Sequence, residues 1–512
     1  MLTHRDVLRR CASAYGARVA LTGPGGMVLD YEALDAETDR LADGLQRHGF
    51  GPGDAMIWID YNSVEFLVAY YATAKLGMTF SPMNYWLRPH ELAPLGELVR
   101  PSVVVAGLDH LGGAREAFAD QGVRLWVALG DGDPSGCVPW AELVDGPSTP
   151  IDVEIDETMV HEIIFTSGTT GQAKGVMRSQ RARILDSFGA ALAYGLQRDD
   201  HMLWFLPQFH IGGGSVPGQL LVQGGRVTIL RRFDEADAAR AIAEGVTYMV
   251  GVPAHYNLLF ESGALQGVDT SAVRGCYVGG SVASRRVFEQ IMAHFPQAEI
   301  VHGYGSTESG PHTLAVRGQA FLDHFGALGL PVPGTEVRVV DVTTREVVGP
   351  GEVGELCVRS ESIMLGYLGR PDLTAAAVDD GWLRTGDLVR RADDGYFHLV
   401  DRAKDMIITG GENVYAKEVE DVLAAHPSVA EVAVIGVPDD VYEERVVAIV
   451  RADPAATAPP AHELIAFARQ QLAGFKCPKE VHFVDDFPRT GIGKIAKQEL
   501  RVEHGAAGDR DR

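Results

Sequence analysis

Paired cysteine is the first thing this chain lacks. Its five cysteines, Cys11, Cys137, Cys276, Cys357 and Cys477, are scattered over 512 residues, odd in number and without a CxxC pair. That spacing points away from a disulfide framework and from a zinc site, and fits reduced thiols in a cytoplasmic protein. Positive charge is scarce as well: 45 Lys and Arg stand against 69 Asp and Glu, a formal net charge of −24. Nucleic acids and anionic membrane surfaces are recognised through a basic footprint, so neither is an expected partner, and any bound phosphate must be held locally. Long hydrophobic runs are missing too. The most apolar early segment, 66–82, is interrupted by Lys75, and the start, Met1-Leu2-Thr3-His4-Arg5-Asp6, carries no apolar signal region. No transmembrane segment or secretion is expected. Internal repeats are also absent.

What is present is enough apolar material for several cores. Hydrophobic residues make up 46% of a chain too long for a single domain. From about 30 to 310, helical patterns alternate with short apolar runs such as 56–59, 102–106 and 247–250. This alternation is the mark of parallel α/β layers. Between about 335 and 400 the texture changes to short β-rich stretches separated by Gly, Pro and Asp, and a βαβ-like unit follows, with a helix over about 415–426 that buries Val419, Val422 and Leu423. The expected fold is α/β: a large N-terminal domain over 1–401, made of layered α/β subdomains and a β-rich one, then a small α+β domain over 402–512.

The segment 163–175 is the most informative. An apolar β-type run leads into Thr166, Ser167, Gly168, Thr169, Thr170 and Gly171, with Lys174 three residues beyond. Hydroxyls, glycines and one lysine in a turn supply backbone N–H groups and a cation for a polyphosphate. The spacing is not that of a P-loop, because Ala173 stands where the second glycine must precede the lysine. Four further segments join it. Gly303-Tyr304-Gly305-Ser306-Thr307-Glu308 sets an aromatic, hydroxyls and a carboxylate in a glycine-rich loop, a set suited to a base, phosphates and a magnesium ion. Gly386-Asp387 offers a lone carboxylate in a turn, 401–405 marks a composition break, and 488–494 ends a loop on Lys494.

Together these five segments resemble the adenylate-forming superfamily of acyl-CoA synthetases, adenylation domains and firefly luciferase, over nearly the whole chain and in that family's order. The resemblance implies that Thr166, Ser167, Gly168, Thr169, Thr170, Gly171 and Lys174 embrace the phosphates of ATP. It places Gly279, Gly280 and Ser281 at the adenine slot, with Gly303, Tyr304, Gly305 and Ser306 beside it and Tyr304 stacked on the ring. Thr307 would touch the α-phosphate, Glu308 would hold magnesium, and Asp387 with Arg402 would fix the ribose. Lys494 would bridge substrate carboxylate and α-phosphate, lowering the repulsion of two anions as charge develops. Lys404 would be the hinge on which a mobile small domain turns. Two positions depart from the family pattern: Gln180 replaces a frequent His, and Asp401 replaces the Gly before the Arg.

For the acceptor, Gly410 and Gly411 resemble the synthetases' pantetheine-passing loop, and Phe475, Lys476 and Lys479 resemble the residues flanking the adenosine of coenzyme A. A carrier-protein ligase and a non-catalytic nucleotide-binding relative are the alternatives, and a homodimer is left open. For the acid, the resemblance puts Phe209, His210, Gly212 and Gly305 at the acyl pocket; amino-acid-activating relatives place an Asp after the Phe, where this chain has His210, so a small-molecule acid without an α-amine is expected. Relatives that activate acetate carry Trp at the position of Gly305, which implies a pocket open to medium- or long-chain, aromatic or alicyclic acids.

Overall fold

The computed structural model describes residues 2–132, 135–166, 173–214, 216–280, 285–409, 412–439, 441–454, 459–489 and 495–505. The chain divides into two compact units, the first running to 166 and including 173–337 and 358–383, the second including 338–357 and 384 onward.

The first unit contains the α/β layers. The strand Ala55–Ile59 is flanked in parallel by Thr79–Pro82 and Val103–Gly107, with Met56 level with Phe80 and Val103. Every residue of Ala55–Ile59 and of Val103–Gly107 is buried, which is why these runs read as continuously apolar. At one side of this sheet Val160–Thr166 joins Thr79–Pro82 in parallel, then pairs antiparallel with Lys174–Ser179, so that Thr166 faces Lys174. A second group of parallel strands, Tyr248–Gly251, Gly275–Gly279 and Glu299–Ser306, ends in an antiparallel return, Gly310–Arg317. The helix Val64–Leu76 starts on the Ser63 cap and stops on Gly77 in the left-handed region at φ 68°.

The expected boundary at 401/402 lies inside the second unit, which takes in 384 onward. It would cut the strand Phe397–Arg402, which pairs with Trp382–Arg391 and sets Asp387 opposite Arg402. Lys404 accordingly lies inside this unit, in a turn closed by the Asp405 N–H on the Arg402 carbonyl. The βαβ-like expectation is also revised. Val429–Asp439 and Glu443–Ala452 form an antiparallel hairpin, and the parallel partner of the latter is Glu480–Phe483. The helix Ala416–Ala424 covers this sheet with Val419 and Leu423 fully buried and Val422 half-buried. Among the described residues, no helix is long and apolar enough to cross a membrane.

Lys75, which interrupts the apolar run in the sequence, is fully buried, and its ammonium lies 2.6 Å from Asp35 and 2.7 Å from Asp39. Its removal leaves Asp35 without this cation and Asp39 with only Arg9, 3.9 Å away. Lys75→Met is expected to destabilise the first unit by about 3 kcal/mol, less if water reaches the partly exposed Asp35. An unchanged unfolding midpoint would show that the triad contributes nothing.

Candidate active site

Three chain segments of the first unit meet around one tyrosine. The strand Gly366–Tyr367 pairs with Lys174–Ser179, placing Tyr367 level with Val176. The Lys174 ammonium then lies 4.9 Å from the centre of the Tyr367 ring. On the other side, the Tyr367 hydroxyl donates to Glu308 Oε1 at 3.0 Å, and the Met364 N–H donates to the Glu308 carbonyl at 2.8 Å. Burial, with Glu308 beside it, pushes the Tyr367 phenol well above its ordinary range, so it remains a donor. The structure therefore brings together Lys174 and Glu308, which lie far apart in sequence. Glu308 is half-buried and keeps its second carboxylate oxygen off this bond, a donor set that fits magnesium, which takes one or two carboxylates together with substrate phosphates.

The glycine-rich segment is a hairpin tip. Glu299–Ser306 turns at 307–309 into Gly310–Arg317, and Gly310 accepts φ 94°, a region that favours glycine. Ser306, Ser309 and Thr313 form a hydroxyl chain inside the turn, with Ser306–Ser309 at 3.1 Å and Thr313–Ser309 at 2.8 Å. Thr307 is buried, and its carbonyl accepts from Arg178 at 3.1 Å. Gly279 and Gly303 lie level on adjacent parallel strands. A side chain at Gly279 would meet the Tyr277 hydroxyl, and one at Gly303 would meet Tyr194 and Tyr277, so the two tyrosines stand where those side chains would be. Tyr304 is half-buried and in register with Leu314.

Gly305 has another reason to be glycine than the one expected. A Cβ there would run into the backbone of Gly310 and Pro311 on the returning strand. Its lack of a side chain admits this close approach. Gly212, in the short helix Ile211–Gly214, donates its N–H to His210 Nδ1 at 3.2 Å. Phe209 packs edge-on against Tyr85 and Trp86, at 5.3 and 5.6 Å between ring centres.

In the second unit, Asp387 is buried in a strand and not in a turn, and Arg402 Nε lies 3.1 Å from its Oδ1. Asp401 is buried and accepts the backbone N–H groups of Arg402 at 2.7 Å and Lys417 at 3.3 Å, the use to which this chain puts its departure from glycine. Burial lowers the Lys404 ammonium from its ordinary range, although Asp405 opposes that shift. Lys476 is paired with Glu418 at 2.7 Å beside the partly exposed Phe475, and the Lys479 N–H donates to Val446 at 2.8 Å. Ser167, Gly168, Thr169, Thr170, Gly171, Ser281, Gly410, Gly411 and Lys494 lie outside the described residues.

Gln180, the first unit's departure from the family pattern, is fully buried. It accepts the His4 N–H at 2.8 Å and donates to the Ala74 carbonyl at 3.0 Å, tying three helical segments together. Sequence reasoning missed Tyr367 and Arg178. No motif singles out Tyr367; its place follows from strand pairing. Arg178 carried a faint signal, a charged residue in a strand whose neighbours Val176 and Ile164 are buried.

The family model for AMP-binding enzymes matches residues 8–368, and that for the AMP-binding enzyme C-terminal domain matches 418–494. The chain is 34% identical to a feruloyl-CoA synthase of Amycolatopsis sp., covering 94% of this chain and 95% of that protein. It is likewise 34% identical to a fatty acid–[acyl-carrier-protein] ligase of Streptomyces coeruleorubidus, covering 93% and 92%. Among solved structures it superposes on ATP-bound MatB from Rhodopseudomonas palustris with a TM-score of 0.88 at 29% identity, over 98% of this chain and 99% of that one. With both domain models matched in order and relatives aligned over almost their whole length, the chain belongs to the AMP-binding enzyme family.

Proposed function

We propose that this enzyme condenses a carboxylic acid with ATP to an acyl-adenylate, releasing pyrophosphate, and that the thiol of coenzyme A then displaces AMP. The observation that carries this reading is the convergence of Lys174 and Glu308 on Tyr367, a cation and a carboxylate for a metal-bound polyphosphate. In the first half-reaction a carboxylate oxygen attacks the α-phosphorus and pyrophosphate leaves. Lys174 and the hydroxyls of 166–170 hold the leaving phosphates, Thr307 steadies the α-phosphate, and Lys494 bridges the two reacting anions. Glu308 would hold magnesium, which when bound would neutralise phosphate charge. Asp387 accepts the ribose hydroxyls, with Arg402 holding its carboxylate in place. In the second half-reaction Gly410 and Gly411 pass the pantetheine arm, and Phe475, Lys476 and Lys479 receive the nucleotide end.

The acid is one without an α-ammonium and larger than acetate, of medium- or long-chain, aromatic or alicyclic type; the feruloyl-CoA synthase relative supports the aromatic choice. The carrier-protein ligase relative supports a second reading, in which the acceptor is a carrier-bound thiol. An acid panel with ATP, magnesium and free coenzyme A, read by mass spectrometry, tests both. Acyl-CoA with AMP and pyrophosphate is expected. ADP and phosphate would overturn the adenylate step, and adenylate made without consumption of free coenzyme A would favour the carrier.

Lys494→Ala should slow adenylation by roughly 10²–10³-fold while leaving thioester formation from supplied acyl-adenylate nearly intact, since the lysine serves the anionic first step. Equal loss in both half-reactions would refute that division. Tyr367→Phe removes one hydrogen bond to a charged group and should lower kcat/KM for ATP roughly tenfold with little change in unfolding temperature. Undiminished ATP use in this variant would remove Tyr367 from the site. Gly305→Ala, which presses on backbone, should cost about 1–3 kcal/mol of stability, and Gly305→Trp should fail to fold. A soluble Gly305→Trp enzyme with a new preference for acetate would restore the pocket role of this glycine.

A further inference from the structure

Beneath the hairpin tip lies a cluster of four ionised side chains, all almost completely buried: Glu162, Arg178, Arg183 and Asp186. Arg183 Nε is 2.9 Å from Glu162 and its guanidinium is 3.7 Å from Asp186, while Arg178 is 3.8 Å from Asp186. Two positive and two negative charges balance. Burying such a set costs more than burying apolar residues of the same volume, so its stabilising value alone is weak grounds for its presence.

What distinguishes Arg178 is where its fork points. One terminal nitrogen donates to the Thr307 carbonyl at 3.1 Å and the other to the Ser362 carbonyl at 2.7 Å. These carbonyls belong to the two segments that carry Glu308 and Tyr367. A guanidinium presents its donors in one rigid plane, so it sets the spacing between the segments it bridges. Arg178 also shares a strand face with Lys174, four residues and about 13 Å earlier. The strand is a ruler with the phosphate-binding cation at one end and the holder of the Thr307 turn at the other. Asp186 completes the seat: its Oδ1 lies 3.0 Å from where a Gly310 Cβ would be, so the acid also abuts the far side of the turn.

We propose that Arg178, held by Asp186, is a positioning residue that fixes the Thr307–Glu308 turn relative to Lys174, and thereby sets the rate of adenylate formation. This rests on the adenylation reading above. The test is acid-dependent exchange of labelled pyrophosphate into ATP, run with unfolding temperatures for each protein. Arg178→Lys keeps the charge but cannot bridge both carbonyls with a fixed fork. It is expected to keep its unfolding temperature within a few degrees, to lose roughly 10- to 100-fold in kcat, and to change KM for the acid little. Arg178→Met with Asp186→Asn preserves the charge balance and nearly the volume, and is expected to fold yet stay slow. Wild-type kcat in Arg178→Lys, or recovery of both stability and kcat in the double variant, would make the cluster merely structural and overturn the proposal. Absence of exchange in the unmodified enzyme would instead defeat the adenylation reading itself.

Discussion

Backbone pairing along one strand is the constraint on which the candidate site depends. Lys174–Ser179 has two partners, Val160–Thr166 on one side and the short Gly366–Tyr367 on the other. The first pairing sets Thr166 opposite Lys174. The second imports a tyrosine from nearly two hundred residues further on, and through it Glu308. Lys174 and Tyr367 are therefore placed by ladder hydrogen bonds between neighbouring strands, whose spacing hardly varies.

Such a frame lets an acidic protein hold a polyanion. With a net charge of −24 the chain as a whole repels ATP, and the buried cations of the first unit are already balanced: Lys75 by Asp35 and Asp39, Arg183 by Glu162 and Asp186. Lys174 is held in a different way, against a tyrosine ring. A cation–π contact of this kind is worth about 0.5–1 kcal/mol at an exposed site, little enough for a phosphate to displace or share.

Much of this architecture was legible in the sequence. The apolar runs at 56–59, 102–106 and 247–250 are strands because burial on both faces removes any need for polar alternation. Lys174 and Glu308 were identifiable because their segments combine glycine, hydroxyl and charge in a way packing does not require. Tyr367, Arg178 and the reason for Gly305 were not, since each depends on which strand lies beside which, and pairing over such distances leaves no local pattern. The composition break at 401–405 marks a turn within a compact unit, where Asp401 is buried and bound to two backbone N–H groups. Lys75 illustrates the converse, a residue that looked like an interruption and is instead neutralised by its neighbours.

The bond between the His4 N–H and Gln180 spans 176 residues. During synthesis at about 5–20 residues per second, the helix His4–Tyr15 is complete roughly 8–33 s before Gln180 is added. Two of its final neighbours, Tyr31–Arg47 and Val64–Leu76, are made within that interval, so the helix that buries Leu8, Cys11 and Ala12 has part of its final surface early. The helix is thus seated early on its near neighbours and fastened late, so its first turn can fray until Gln180 is in place.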